Sequence, residues 1–394
     1  MLYIGMELKY WSPDEQEKIV IDTKSYWVEY STGEKCLDIQ CGNMAFILGY
    51  GHPSMQDALM NNPVNFVRGN SGETSQANAK LVNDICQQGN WRMLTWAVSG
   101  SDAVEAAVAM NDSYWANQDL ERPYVLSFDN SYHGTTMLAK HLRGEYPNLG
   151  RAITVPSPQW QYAYQQIGQE QLTLSMIKKH LSTNTKIGAL IMETVSWSTT
   201  MAPYSLNFWQ TVRQLCDQHN VLFILDDVAF CWGTNGSMFG YESYLVQPDI
   251  CAIGKSLTGG YSPLGAALCN QKVAQHLNEQ SWNHGHTWQP NMQGVAAAIK
   301  STELVTGLLG YARQINQELQ SIADDLNLNC RGAATYMAYD FDTDVSLSEL
   351  YSVGKFAASL PGGHSVKVFA PLIADAQYFD KLHQGLKNLL DQRL

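Results

Sequence analysis

The sequence predicts an α/β protein with a mostly parallel, doubly wound sheet in a large domain and a smaller α+β domain beside it. Three observations carry this. Short apolar runs without polar alternation recur between about residues 95 and 270, as expected of strands buried on both faces. Amphipathic helical stretches separate them, which gives the βαβ alternation of a parallel sheet. Several runs end in a polar or charged residue: Glu193 after IGALIM, Asp226 and Asp227 after VLFIL, and Lys255 after DICAIG. Such residues lie at the carboxyl edge of the sheet, where open α/β sheets bind their ligands.

In chain order, Ile19 to Phe46 reads as strands and turns, with Ser31-Thr32-Gly33 turning an antiparallel hairpin. Gly49-Tyr50-Gly51-His52-Pro53 breaks that pattern, and Ser54 is expected to cap a helix. Asn70 to Gln87 is helical, capped at Thr74 or Ser75. Trp96-Ala97-Val98 is a short apolar entry, and Ser99-Gly100-Ser101 turns into an alanine-rich helix from Asp102. A small-residue turn at a helix start leaves backbone N–H groups that attract an anion. Pro123 to Asp129 is a buried strand that ends before Asn130-Ser131-Tyr132-His133-Gly134. Helix, loop and helix follow to about Ser182, then a strand Ile187–Met192, a helix Asn207–His219 and a strand Val221–Leu225. Leu264–Cys269 is another apolar run. Beyond it, helices Gln289–Leu309 and Gln314–Leu326 alternate with short strands Ala334–Asp340 and Ser365–Val368, before a last helix Ala376–Leu390. These place the large domain at 47–275, with 1–46 and 276–394 forming the smaller one.

Composition narrows the function. The net charge of −12, from 25 basic and 37 acidic residues, argues against nucleic acid and against an anionic membrane surface. No uninterrupted apolar segment reaches bilayer length, and the N-terminus lacks the charged and apolar regions of a signal peptide. The eight cysteines form no C-x-x-C pair, so reduced thiols and a cytoplasmic location are expected.

The strand ends gather Tyr132, His133, Glu193, Asp226, Asp227 and Lys255 with the Ser99–Ser101 helix start. A lysine after a buried strand costs free energy unless it is paired or neutral. It reads either as an ion pair with Asp226 or Asp227, or as a Schiff-base lysine. An amine, a carboxylate, a stacking aromatic and a helix N-terminus are together what pyridoxal phosphate requires. Other motifs fail. Gly254-Lys255-Ser256 lacks the Walker glycine, because position 249 is Asp249, and no G-x-G-x-x-G follows a strand. His284-Gly285-His286 has no third ligand in register, so no metal site is expected.

At this point the chain resembles a known family, the class III (subgroup II, fold type I) pyridoxal-phosphate-dependent aminotransferases, over nearly its whole length. The resemblance rests on Gly33…Cys36-Leu37-Asp38, Leu48-Gly49-Tyr50-Gly51-His52-Pro53, Ser99-Gly100-Ser101…Val104-Glu105-Ala106-Ala107 and Tyr132-His133-Gly134. It continues through Glu193, Asp226-Asp227-Val228, Pro248-Asp249-Ile250…Gly254-Lys255-Ser256-Leu257-Thr258-Gly259-Gly260-Tyr261 and His286-Thr287, in that order. It implies pyridoxal 5'-phosphate as cofactor and a ping-pong transfer of an amino group from an amine or amino-acid donor to a ketone or aldehyde. Lys255 would form the internal aldimine and shuttle the proton, and Asp226 would keep the pyridine nitrogen protonated. Tyr132 and Val228 would pack on the two ring faces, and Gly100 and Ser101 would bind the phosphate. His133 and Glu193 would support the ring. A homodimer is implied, with Thr287 reaching the neighbouring subunit's phosphate.

The sequence departs from the family in places. Asp227 replaces a glutamate, Thr194–Thr200 replaces a proline- and glycine-bearing segment, and Ala229 stands where many relatives have glutamine. Where many relatives carry an arginine for a substrate carboxylate, this chain has Gly362-Gly363-His364 and Lys367, with Arg68 as a candidate substitute. An ω-amine, an amino ketone or a carrier-bound substrate is therefore expected. Trp27, Phe46, Trp160 and Trp197 either line an apolar substrate pocket or pack in the core. The alternatives are an aminomutase of the glutamate-1-semialdehyde type or a racemase on the same scaffold, and a non-catalytic binding homologue.

Overall fold

A computed structural model describes residues 19–61, 74–159, 165–277, 282, 284–285, 287–358 and 363–393. The described residues open with three antiparallel strands, β1 (Val20–Lys24), β2 (Trp27–Tyr30) and β3 (Lys35–Asp38). The expected hairpin is β2–β3, and its turn is closed by the Gly33 N–H on the Tyr30 carbonyl at 2.8 Å. The first regular helix, α1 (Pro53–Met60), starts one residue before the expected cap. His52 holds the cap position with no side-chain bond, and Pro53 takes the first turn, where a missing N–H costs nothing. Helix α2 (Gln76–Gln88) is capped by Ser75, whose hydroxyl accepts from the Asn78 N–H.

The large sheet holds β4 (Met93–Ala97), β5 (Tyr124–Phe128), β6 (Ala152–Val155), β7 (Ile187–Glu193), β8 (Leu222–Asp226), β9 (Ile250–Ile253) and β10 (Gly265–Cys269). Their spatial order is β4-β10-β9-β8-β7-β5-β6, and β10 runs antiparallel to both neighbours. The helices between the strands are α3 (Gly100–Ala116), α4 (Met137–Leu142), α5 (Gln166–Thr183) and α6 (Leu206–Gln218). They cover both faces, which is why the strands read as unbroken apolar runs. Alternate residues serve separate cores: Ile191, Leu222, Ile224 and Ala252 pack under α3, while Leu190, Phe223, Leu225 and Cys251 pack on the opposite face. Ala103, Ala106 and Ala107 of α3 are fully buried, and small side chains there let the helix lie close to β9 and β10.

Strand β6 falls within the stretch expected to be helix, loop and helix. It is a four-residue edge strand with one buried residue, too short and too exposed for an apolar signature.

The C-terminal part begins with α7 (Met292–Leu308) and α8 (Tyr311–Leu326). Strands β11 (Cys330–Ala333) and β12 (Tyr336–Asp340) follow, then α9 (Leu347–Ser352), β13 (Phe356–Ala357), β14 (Ser365–Phe369) and α10 (Ala376–Asp391). Strands β11, β12 and β14 form a three-stranded antiparallel sheet, while β13 joins β3 in parallel. The first and last parts of the chain thus share one small sheet. No helix of the described residues is long and apolar enough to cross a membrane.

Candidate active site

Five strand ends, those of β4, β5, β7, β8 and β9, meet at the carboxyl edge of the large sheet. The turn between β4 and α3 brings a helix N-terminus. Ser99 caps it by accepting from the Asp102 N–H at 3.2 Å, and the Asp102 carboxylate in turn accepts from the Val98 N–H at 2.9 Å. Gly100 cannot be replaced without displacement, because a Cβ there would stand 2.5 Å from Val228 Cγ1. Gly134 is constrained twice: its φ is +120°, and a Cβ would meet the Ser101 side chain. Ser101 Oγ accepts from the Thr135 N–H at 3.1 Å, which ties the helix start to the loop after β5.

Strands β7 and β8 bring the acids. Glu193 and Asp226 are register partners at the ends of parallel neighbours. Asp226 is buried; its Oδ2 faces His133 Nδ1 at 2.8 Å and its Oδ1 accepts from the Val228 N–H at 3.2 Å. Glu193 Oε2 accepts from the Tyr132 N–H at 3.1 Å. Burial, and after it the nearby Asp226 charge, push the Glu193 carboxyl well above its usual range. Two orphaned buried atoms remain, Glu193 Oε1 and His133 Nε2.

The adjacent Asp227 does different work. Consecutive strand residues point to opposite faces. Its carboxylate accepts from the Thr194 hydroxyl and, at 2.7 Å, from the Gly240 N–H. It is fully buried away from the cavity, and burial raises its pKa to about 7.

Lys255 follows β9 at φ 43°, a left-handed conformation that costs a non-glycine residue about 1 kcal/mol or more. Burial lowers its pKa to about 8, against the opposing pull of Asp226 and Glu193. An amine with its pKa near neutrality is a usable nucleophile and proton carrier. Its Nζ stands 5.2 Å from the centre of the Trp197 ring.

These groups surround one cavity of about 140 Å³. Gly100, Ser101, Tyr132, His133, Glu193, Asp226, Val228 and Lys255 all line it; Thr287 does not, and is exposed beside the start of α7. Among the four aromatics weighed for an apolar pocket, Trp197 lines the cavity. Trp27 borders a separate surface pocket with Lys35 and Lys355, Phe46 packs on Tyr50 and Tyr261, and Trp160 lies outside the described residues, as does Arg68. Phe230 lines the cavity unforeseen; it sits four residues after Asp226 in an apolar stretch with no signal to separate it from core. Among the described residues no cluster of His, Cys, Asp and Glu is fit to hold a metal.

Comparison with known proteins gives the same direction. The family model described as aminotransferase class-III matches residues 11–390. An adenosylmethionine-8-amino-7-oxononanoate aminotransferase of Geobacter sulfurreducens is 26% identical, covering 97% of this chain and 93% of the relative. An acetylornithine aminotransferase of Aquifex aeolicus is 24% identical over 93% of this chain and 95% of its own. Among solved structures, an amine transaminase from an uncultivated Pseudomonas species in its PLP-bound form superimposes with a TM-score of 0.86 at 22% identity, covering 98% of this chain and 99% of that one. A Bacillus anthracis aminotransferase gives 0.88 at 19% identity, with 99% and 96% covered.

Proposed function

The chain belongs to the aminotransferase class-III family and is a pyridoxal-phosphate-dependent transaminase of fold type I, and from that premise we propose which of its residues run the reaction. The single observation that carries the assignment is the cavity in which a buried amine, Lys255, and a buried carboxylate, Asp226, face the N-terminus of a long helix. The residues fit the cofactor. Gly100 and Gly134 leave the side-chain-free backbone that a phosphate needs, and the capped helix start supplies N–H groups and a favourable dipole. The Asp226 carboxylate would pair with a protonated pyridine nitrogen, and Tyr132 and Val228, which line the same cavity, would flank the ring. When bound, pyridoxal phosphate supplies a carbonyl that condenses with amines and a ring that draws electron density from the adjoining carbon.

The chain's own part is then positional and electrostatic. Asp226 is fixed at both oxygens, by His133 and by the Val228 N–H, so its charge needs no reorganisation during reaction. Glu193 fixes the Tyr132 backbone by accepting from its N–H, and its burial beside Asp226 raises its pKa. Lys255 Nζ, with its pKa near 8, takes the proton that must leave the amine-bearing carbon of the donor and gives it back later in the cycle. Asp227 shapes the loop rather than the reaction, since it holds Thr194 and Gly240.

The reaction moves an amino group from an amine or amino-acid donor to a ketone or aldehyde, free or carrier-bound. Aminomutase and racemase activities are not favoured, because the curated relatives compared above carry aminotransferase names. The working unit is a cytoplasmic homodimer in which Thr287 completes the neighbouring subunit's phosphate site. The exposure of Thr287 and its absence from the lining of its own chain's cavity support this. The small sheet shared by residues from both chain ends supports a division into 47–275 and a second domain made of 1–46 with 276–394. A half-reaction tests the function. The loaded protein, given a donor amine and no acceptor, should release one equivalent of keto product per site and retain pyridoxamine phosphate. Rearranged or racemised donor with no free keto product would overturn it.

A further inference from the structure

Lys367 is a buried lysine with no carboxylate in ion-pair range among the described residues. Strand β14 carries it from the three-stranded sheet to the loop after β7, where its Nζ donates to the Trp197 carbonyl at 2.8 Å. Arg331 of β11 does the same further along the loop, donating from Nε to the Thr200 carbonyl, while its Nη1 and Nη2 donate to Asp340 and Ser365. The loop is closed at its base by an isolated bridge between Val195 and Pro203. Two cations from one small sheet therefore clamp the segment that carries Trp197. The indole this fixes is 8% exposed. It lies 5.2 Å from Lys255 Nζ and packs edge-on against Tyr132, with ring centres 5.1 Å apart and planes at 65°.

A neutral donor would satisfy one carbonyl. An ammonium makes a charge-assisted bond about twice as strong, and does so at the desolvation cost of a buried charge. Burial lowers the Lys367 pKa to about 8, so the group still carries its charge at neutral pH. That expense is spent on the backbone of the residue whose ring borders the reactive amine. The Trp197 and Phe230 rings line the same cavity as Lys255, so they bound the space beside the reactive amine.

We propose that Trp197 is the specificity-determining residue of the amino-transfer site, a fixed indole wall that limits the bulk a substrate can bring to Lys255, and that Lys367 is its positioning residue. The proposal rests on the transaminase reading of the same site.

The test begins on cofactor-free protein, so that it reads the wall independently of the reaction. Lys255 is labelled with trinitrobenzenesulfonate, a bulky aryl reagent, and separately by reductive methylation, and each adduct is quantified by peptide mapping. Trp197→Ala is expected to raise the aryl-to-methyl labelling ratio at Lys255 by about tenfold. Lys367→Met should move the ratio the same way, add nothing in the Trp197→Ala background, and be restored by Lys367→Arg. In the loaded enzyme, the ratio of kcat/KM for benzylamine over that for ethylamine should follow the same order. An unchanged ratio in Trp197→Ala overturns the proposal, as does a Lys367→Met effect that persists undiminished without Trp197. The Trp197→Ala arm stands alone where Lys367→Met fails to fold. Labelling that behaves as expected in a protein with no amino transfer would sink the functional reading and leave the wall intact.

Discussion

Burying the Lys255 amine works against its charge, and the residues around it decide how far. Desolvation lowers its pKa to about 8, while Asp226 and Glu193 oppose the shift. Neutralising Asp226 removes the fixed negative charge from the cavity, and Asp226→Asn should lower kcat by about a hundredfold or more with the fold retained, read by steady-state kinetics beside circular dichroism. Asp227 sits one residue away with a different consequence. Its pKa rises from the ordinary value to about 7 through burial, so folding favours its protonated form. The sign follows from linkage: the stability from this group is complete below the unfolded pKa of about 4 and declines as pH rises towards 7. Asp227→Asn keeps an acceptor for the Gly240 N–H and removes the titration. Its stability relative to the parent protein should therefore increase between pH 4 and 7, by an amount on the order of 4 kcal/mol at most, in denaturant melts across that range. A difference that stays flat would mean that Asp227 is ionised at no cost. Both acids were visible in the sequence as a pair, and Asp227 counted as a departure near the cofactor. What separates them is the alternation of side chains along a strand, which a doublet at the very end of an apolar run does not reveal by itself.

At the scale of elements, the site depends on the start of α3. The Ser99 hydroxyl closes one of the free N–H groups there, and Asp102 reaches back to the Val98 N–H. Ser99→Ala should cost about 1 kcal/mol in stability and also weaken cofactor uptake, because it loosens the turn that presents Gly100 and Ser101. Equilibrium titration with pyridoxal phosphate checks this; an unchanged affinity would detach the cap from the binding role. This turn and the strands β7, β8 and β9 were legible because each has a strong local signal: a capping serine before an alanine-rich helix, and unbroken apolar runs. Strands β6 and β11 were not, being four residues long at sheet edges, and β11 carries Arg331 in its middle. The clamp on Trp197 was hidden for another reason. Lys367 and Trp197 stand 170 residues apart, and only the docking of the small sheet against the loop after β7 brings them together.

The whole molecule is expected to act as a pair of chains. Each cavity is lined by residues of one chain, while Thr287 is exposed and not among those that line its own. Two inactive variants should then repair each other. In a mixture of Lys255→Ala and Thr287→Ala chains, half the mixed dimers' sites carry an intact lysine and receive an intact threonine from the partner. Remixing after dissociation should restore activity well above that of either variant alone; no restoration would place Thr287 outside the site or the chain outside a dimer. The account as a whole turns on one lysine among all those in the 394-residue chain. The most direct measurement is borohydride reduction of the intact protein loaded with pyridoxal phosphate, followed by peptide mapping of every lysine. The prediction is a single stoichiometric pyridoxyl adduct at Lys255, absent when Lys255→Ala is treated in the same way. An adduct dispersed over surface lysines, or a stoichiometric one at another residue, would contradict it.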